Sequence, residues 1–145
     1  MAVEITSDPD KIDLKRVVSF LKKEAYWARG RTAKAILLSM ANSLCYSIFD
    51  GGRFAGFARV VTDSSTVYYL CDVFILPEHR GKGLGKKLVR HVVKDPRLKG
   101  LGGMLLTRDA HGLYARYGFT GREKERKLFM IKRGRGGGRP RKTSA

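Results

Sequence analysis

The sequence predicts a single α/β domain, and three observations carry that prediction. A strand-like run breaks into a basic glycine-rich loop and resumes as an amphipathic helix across residues 72–93. Asp50-Gly51-Gly52 separates two apolar runs as a hairpin turn would, and elsewhere the apolar spacing alternates between strand and helix periods. With 145 residues, 43% of them hydrophobic, the chain is long enough to bury one ordinary core.

The elements follow in order. Residues 3–6 alternate as a short strand, and Asp8-Pro9 offers an N-cap with proline at the first helical position. A helix is expected from there to about Ala25, burying Ile12, Val17, Phe20 and Leu21. After a break at Ala28-Arg29-Gly30, a second helix carries Ala35, Leu38 and Met40 and stops before Ser43. Strands follow at 44–49, 53–61 and 66–76. The helix after the glycine loop covers about 83–94, where Asp95-Pro96 halts it. Residues 104–107 read as a buried strand, 110–117 as a short helix and 127–132 as a final strand.

The loop invites an anion. Gly81, Gly83 and Gly85 put no side chain in a ligand's way, so successive N–H groups and the positive end of the next helix can face phosphate oxygens. Arg80, Lys82, Lys86 and Lys87 add countercharge. Two nucleotide signatures are excluded by spacing. The dinucleotide fingerprint needs G-x-G-x-x-G where this loop has G-K-G-L-G, and a P-loop needs glycine and Ser or Thr where Arg80 and Lys87 stand.

The loop instead resembles the acyl-CoA signature R/Q-x-x-G-x-G/A of the GNAT superfamily of N-acetyltransferases, matched by Arg80, Gly83 and Gly85. Further on, Ala110, Leu113, Tyr114, Gly118 and Phe119 fit the GNAT segment A-x-x-[FL]-Y-x-x-x-G-F, and FDGGRFAGFARVV is similar to the GNAT hairpin. The resemblance spans roughly residues 3–131. It implies the GNAT fold, a central mixed, mostly antiparallel sheet splayed between its fourth and fifth strands, with helices on both faces. It also implies acetyl-CoA as co-substrate, its pantetheine arm paired with the backbone of Val73, Phe74 and Ile75. Its pyrophosphate would be held by the loop from Arg80 through Gly81, Lys82, Gly83, Leu84 and Gly85 to Lys86. The expected activity is transfer of an acetyl group to the primary amine of a small or amino-acid-like acceptor.

Such a transfer needs the amine deprotonated, the thioester carbonyl polarised and the departing thiolate stabilised or protonated. Tyr114 occupies the position of the GNAT tyrosine whose hydroxyl faces the CoA sulfur, which makes it the candidate acid; a core aromatic is the plainer alternative. Asp72 is the candidate base, against a carboxylate that binds a cationic acceptor or pairs with a neighbour such as Arg59. Asp109 and His111 are rivals for the base: Asp109 can also act at the acceptor or cap the helix starting at Ala110, and His111 reads equally as an exposed first-turn histidine. Tyr26, Trp27 and Arg29 fall in the loop between the first two helices, which overhangs the acceptor in GNAT folds, unless Trp27 only closes the core. Strand alternation would put Cys71 and Asp72 on opposite faces, so direct transfer is expected in place of an acyl-cysteine route.

The formal net charge of +17 exceeds what one pyrophosphate needs. Residues 132–145, KRGRGGGRPRKTSA, hold six basic and no acidic residues and read as a disordered tail after a 1–131 acetyltransferase domain. The first 131 residues still carry 24 basic against 13 acidic residues. Gly138-Arg139-Pro140 with its basic flanks resembles an AT-hook, although Gly137 stands where the full core has arginine. Weak nucleic-acid or polyanion binding is therefore the alternative function, alongside a protein lysine acceptor. No apolar run suits a membrane span or signal peptide, and Cys45 and Cys71 lack metal-ligand company. The expectation is a cytoplasmic protein, or a nuclear one in a eukaryote, with no metal and no membrane partner; a homodimer stays open.

Overall fold

The computed structural model describes residues 2–132 and residue 134. Most of the basic tail, including the AT-hook-like segment, lies outside the described residues. Five strands form one sheet in the order β1 (Val3–Thr6), β2 (Leu44–Asp50), β3 (Arg53–Thr62), β4 (Val67–Ile75) and β5 (Gly102–Leu105). The first three junctions are antiparallel and β4 pairs with β5 in parallel. This is the mixed sheet expected.

Helices cover both faces. On one side α1 (Leu14–Lys23) and α2 (Ala33–Ala41) bury Val17, Phe20, Leu21, Ile36 and Met40 against Phe57 and Phe74 of the sheet. Phe74 stacks on Phe20 with ring centroids 4.0 Å apart. On the other side α3 (Leu84–Val93) buries Leu84, Leu88 and Val92 against Tyr46, Ile48, Val60 and Leu70. Two shorter helices, α4 (His111–Ala115) and α5 (Glu123–Leu128), complete the described chain.

Three expectations are corrected. The first helix does not start at Asp8-Pro9: Asp8 caps only a single 3-10 turn, Pro9–Lys11, and Asp13 starts α1 by accepting from the Arg16 N–H at 3.1 Å. The strand expected at 104–107 is Gly102–Leu105 and is not buried, because it is the last strand of the described sheet and Met104 is 44% exposed. The final strand expected at 127–132 is absent among the described residues; its start is taken up by α5, whose Glu, Lys, Arg and Leu residues all favour helix.

Past α3, Asp95 accepts from the Arg97 backbone N–H (2.9 Å) and side chain (2.7 Å) and from the hydroxyl of fully buried Tyr46 (2.7 Å). The Arg97 hydrogen bond, helped by that of Tyr46, outweighs burial and holds this carboxyl well below the usual carboxylate range. The end of α3 is thereby fastened to the sheet.

Close packing at Gly56 fixes the distance between β3 and the end of β4. A Cβ there would lie 2.5 Å from the Phe74 carbonyl oxygen and 2.6 Å from Ile75 Cδ1. Gly56→Ala is expected to destabilise the fold by about 1–3 kcal/mol through overpacking. Urea denaturation checks this, and a variant as stable as the parent would contradict so close an approach.

Candidate active site

The site begins where β4 leaves β5. Their pairing runs from Val67 opposite Gly102 to Leu70 opposite Leu105 and ends there, while β4 continues to Ile75 along β3. Residues 71–75 therefore present an edge that β5 does not cover, which is the splay expected between the fourth and fifth strands.

At this divergence β4 is bulged. The β3–β4 register shifts between Phe57 and Arg59, and Asp72 adopts φ +52°, a left-handed conformation that few residues other than glycine enter but aspartate tolerates. The bulge corrects the alternation argument for Cys71. Cys45, Arg59 and Cys71 are directly opposite one another across three strands and so share a face, and Asp72 reaches the same Arg59. Cys71 and Asp72 thus lie on one side of the sheet. Burial nevertheless pushes the Cys71 thiol up to about 12 and the Cys45 thiol up to about 11, so neither is a thiolate at neutral pH.

Asp72 is 3% exposed and surrounded by donors. Trp27 Nε1 donates to its Oδ1 at 2.9 Å, Arg31 Nη1 donates to both oxygens at 3.0 and 2.9 Å, and Arg59 Nε donates to Oδ2 at 2.8 Å. Arg59 also donates from Nη1 to Ser43 Oγ at 3.0 Å. This geometry suits the pairing alternative for Asp72 better than the base. The carboxylate oxygens already accept four N–H contacts from Trp27 and two cations, so the group is engaged in pairing. Sequence reasoning missed Arg31 and Ser43. The available signal for Arg31 was its place directly before Thr32, whose Oγ1 caps α2 by accepting from the Ala35 N–H at 3.0 Å.

The segment joining α1 and α2 forms the facing wall. Tyr26 meets Trp27 edge-on at 5.2 Å, and the Arg108 guanidinium lies 4.0 Å from the Tyr26 ring centroid. Arg29 is exposed and stands outside the set of donors around Asp72, so the arginine that enters the site is Arg31, two residues on. From the other wall, α4 brings Tyr114, half-buried and edge-on to Phe119 at 6.2 Å. Burial, then Tyr26 and Asp109, raise the Tyr114 hydroxyl above its ordinary value, so it stays protonated at neutral pH. Asp109 does not cap α4: the Ala110 N–H donates to Thr107 Oγ1 instead, at 3.0 Å, and Asp109 is exposed. His111 is exposed at the first position of α4.

At the far end of the open edge stands the glycine loop. Gly81 (φ +80°) and Gly83 (φ +77°) take left-handed conformations, and Gly83 is the N-cap of α3 with no side-chain acceptor. The N–H groups of Leu84, Gly85 and Lys86 belong to the first helical turn and have no intrahelical acceptor. Leu84 itself is buried and anchors the turn. Two roles change. Lys82 is tied to Asp50 at 3.0 Å, a carboxylate that also faces His79 at 3.4 Å, so its charge is already partnered. Phe74 places its ring in the core, and its carbonyl close to Gly56 faces β3, which leaves Val73 and Ile75 as the residues facing the open edge. Because a trans peptide points its two groups in opposite directions, and Leu76 N–H bonds Ala55 of β3, the Ile75 carbonyl faces that open edge. Arg80 Nε donates to it there at 2.9 Å.

An uncovered strand edge ending in a cradle of unbonded N–H groups fits an extended amide-bearing chain with a diphosphate at one end. The model of the acetyltransferase (GNAT) family matches residues 14–119. The chain belongs to the GNAT family. A crystal structure of a GNAT-family protein from Xanthomonas campestris pv. campestris is 38% identical, covers 94% of this chain and 96% of its own, and superposes with a TM-score of 0.85. A Gibberella zeae protein named as a candidate acetyltransferase is 25% identical over 77% of this chain and 75% of its own length. A Clostridium acetobutylicum protein solved with acetyl-CoA shares the fold at 13% identity and a TM-score of 0.63, over 85% of this chain and 93% of its own. GNAT proteins use acetyl-CoA as co-substrate, and this member is an acyl-CoA-dependent acetyltransferase.

The buried ion cluster makes a stability prediction. Asp72→Ala leaves two guanidinium groups without their carboxylate and should cost about 3–5 kcal/mol, the scale of breaking one partner from a buried pair. Thermal and urea unfolding read this. A decrease below about 1 kcal/mol would show that the cluster contributes no more than a surface pair.

Proposed function

We propose that this protein transfers the acetyl group of acetyl-CoA directly to the primary amine of a small or amino-acid-like acceptor. The observation that carries the proposal is the open edge of β4, with the glycine cradle at one end and Tyr26, Trp27 and Tyr114 around the other. Acetyl-CoA supplies an acetyl group activated as a thioester. Val73 and Ile75 offer backbone groups along its arm, while the N–H groups from Gly81 to Lys86 and the positive end of α3 face the diphosphate. Arg80, already placed at the open edge, and exposed Lys86 and Lys87 supply positive charge.

Tyr114 is the proton donor in this reading. Its raised pKa keeps the hydroxyl neutral, and a neutral phenol can donate to a thiolate as the carbon–sulfur bond breaks. Asp72 organises the acceptor wall by holding Trp27 and Arg31 and takes no proton, so the amine's proton passes to solvent. The two high-pKa thiols support direct transfer over a cysteine-bound route. Much of the acceleration comes from holding two substrates in one cleft.

Tyr114→Phe should lower kcat by about 10- to 10⁴-fold with acetyl-CoA affinity unchanged; a kcat within twofold of the parent would return Tyr114 to packing. Gly85→Val tests the cradle. Gly85 lies in the helix with only Ile75 Cγ1, at 3.8 Å, near its missing Cβ, so added bulk meets an incoming ligand before it meets protein. Calorimetry should then show acetyl-CoA binding abolished while the circular dichroism spectrum is kept. Unchanged affinity would remove the loop from the cofactor site.

A second reading, association with nucleic acid, is favoured by a groove of about 680 Å³ lined by Lys87, Arg90, His91 and Lys94 beside the Asp95–Arg97 ion pair. Removing residues 132–145 should flatten the salt dependence of duplex binding, by about 0.9 in the slope of log K against log salt for each phosphate that the tail neutralises. An unchanged slope would confine any such binding to the groove.

A further inference from the structure

We infer that the acceptor carries a carboxylate close to its amine, an amino acid being the simplest case, and that Arg31 receives it. The inference deepens the acetyltransferase reading above and rests on it for the identity of the second substrate.

Arg31 commits one nitrogen to Asp72. Both bonds leave from Nη1, at 3.0 and 2.9 Å. The edge formed by Nη2 and Nε, the fork that matches a carboxylate through two parallel hydrogen bonds, is not engaged in them. Of the three charged side chains in the cluster, Arg31 is also the outermost. Its side chain is 29% exposed, against 11% for Arg59 and 1% for Asp72.

Charge points the same way. Two guanidinium groups face one carboxylate, and the other hydrogen bond of Arg59 goes to neutral Ser43. The cluster therefore holds an excess positive charge at its outer member. Arg108 adds a second cation over Tyr26 on the same wall. The exposed carboxylates near this wall are Glu24, at the end of α1, and Asp109, and neither is bonded to Arg31 or Arg59. An amine without an anionic group would enter a surplus of positive charge, whereas a carboxylate offsets it.

Arg31 is also held in place before any substrate arrives. It lies between Gly30, at φ +85°, and the Thr32 cap of α2, and Asp72 fixes one of its nitrogens. A guanidinium restrained at one end gives up little freedom when its other edge is bound. Bidentate geometry sets direction as well as affinity, so a carboxylate seated on Arg31 would orient the amine a few bonds away from it.

Trp27, the single tryptophan of the chain, donates to the same Asp72 oxygen that Arg31 contacts, so its fluorescence reads occupancy independently of turnover. With CoA present, the protein is titrated with the non-aromatic α-amino acids, with their methyl esters and with the corresponding decarboxylated amines. At least one acid should bind about 10- to 100-fold more tightly than its ester, the scale of a charge-assisted hydrogen bond. Arg31→Gln should remove that preference, raising KM for the acid about 10-fold or more beyond any change in KM for the ester. Arg31→Lys should restore part of it. Equal affinity for acid and ester, no response to any acid, or a preference that survives Arg31→Gln would overturn the inference. The two readings separate cleanly. Acid-selective binding without thiol release from acetyl-CoA keeps the carboxylate site and rejects the transferase reading, while thiol release equal for acid and ester does the reverse.

Discussion

A single buried carboxylate organises the functional end of this molecule. Asp72 sits on a bulge in β4, in a backbone conformation that costs energy for a residue with a side chain, and receives an indole and two guanidinium groups. Those donors come from two places in the chain: Trp27 and Arg31 from the segment between α1 and α2, and Arg59 from β3. Desolvating three charges is unfavourable unless every partner is present, so the arrangement is cooperative by construction. It ties the segment carrying Tyr26 and Trp27 to the strand whose edge is left open.

The cluster also divides labour along β4. Up to Leu70 the strand is ordinary sheet, paired on both sides. Beyond Asp72 it keeps β3 and leaves β5, and the close approach at Gly56 holds this unsupported length in place from one side. The bulge marks the boundary between a part of the strand paired on both sides and a part with one edge uncovered. Rigid support on one edge and openness on the other are both needed for an extended chain to be bound in one register.

What was legible in the sequence follows from how local each signal was. The glycine loop, the hairpin at Asp50-Gly51-Gly52 and the positions of the first five strands depend on short-range chemistry, and the structure reproduces them within a few residues. The turn at Asp8-Pro9 misled because two aspartates compete to begin a helix, and Asp13 wins. The continuous apolar run at 128–131 resembles a strand, yet the residues just before it favour helix and the sheet of the described residues does not include it. Among the candidate site residues, the loop and Tyr114 stand out by sequence pattern. Arg31 does not, because what distinguishes it is a contact across 41 positions of sequence, and Arg29 is an equally basic neighbour. The bulge was invisible for the same reason: a register shift belongs to two strands, and neither sequence alone encodes it.

The open edge of β4 has one more consequence. A row of uncovered strand groups is a template for any other extended chain, which exposes a protein to unwanted edge-to-edge association. Here the exposed length is short, begins at a bulge that breaks its regularity, and ends where the Arg80 side chain already occupies the Ile75 carbonyl. A foreign strand would have to displace that arginine and match an irregular backbone flanked by further positive charge from Lys86 and Lys87. The features that prepare the edge for one small ligand thus also discourage the protein from polymerising through it.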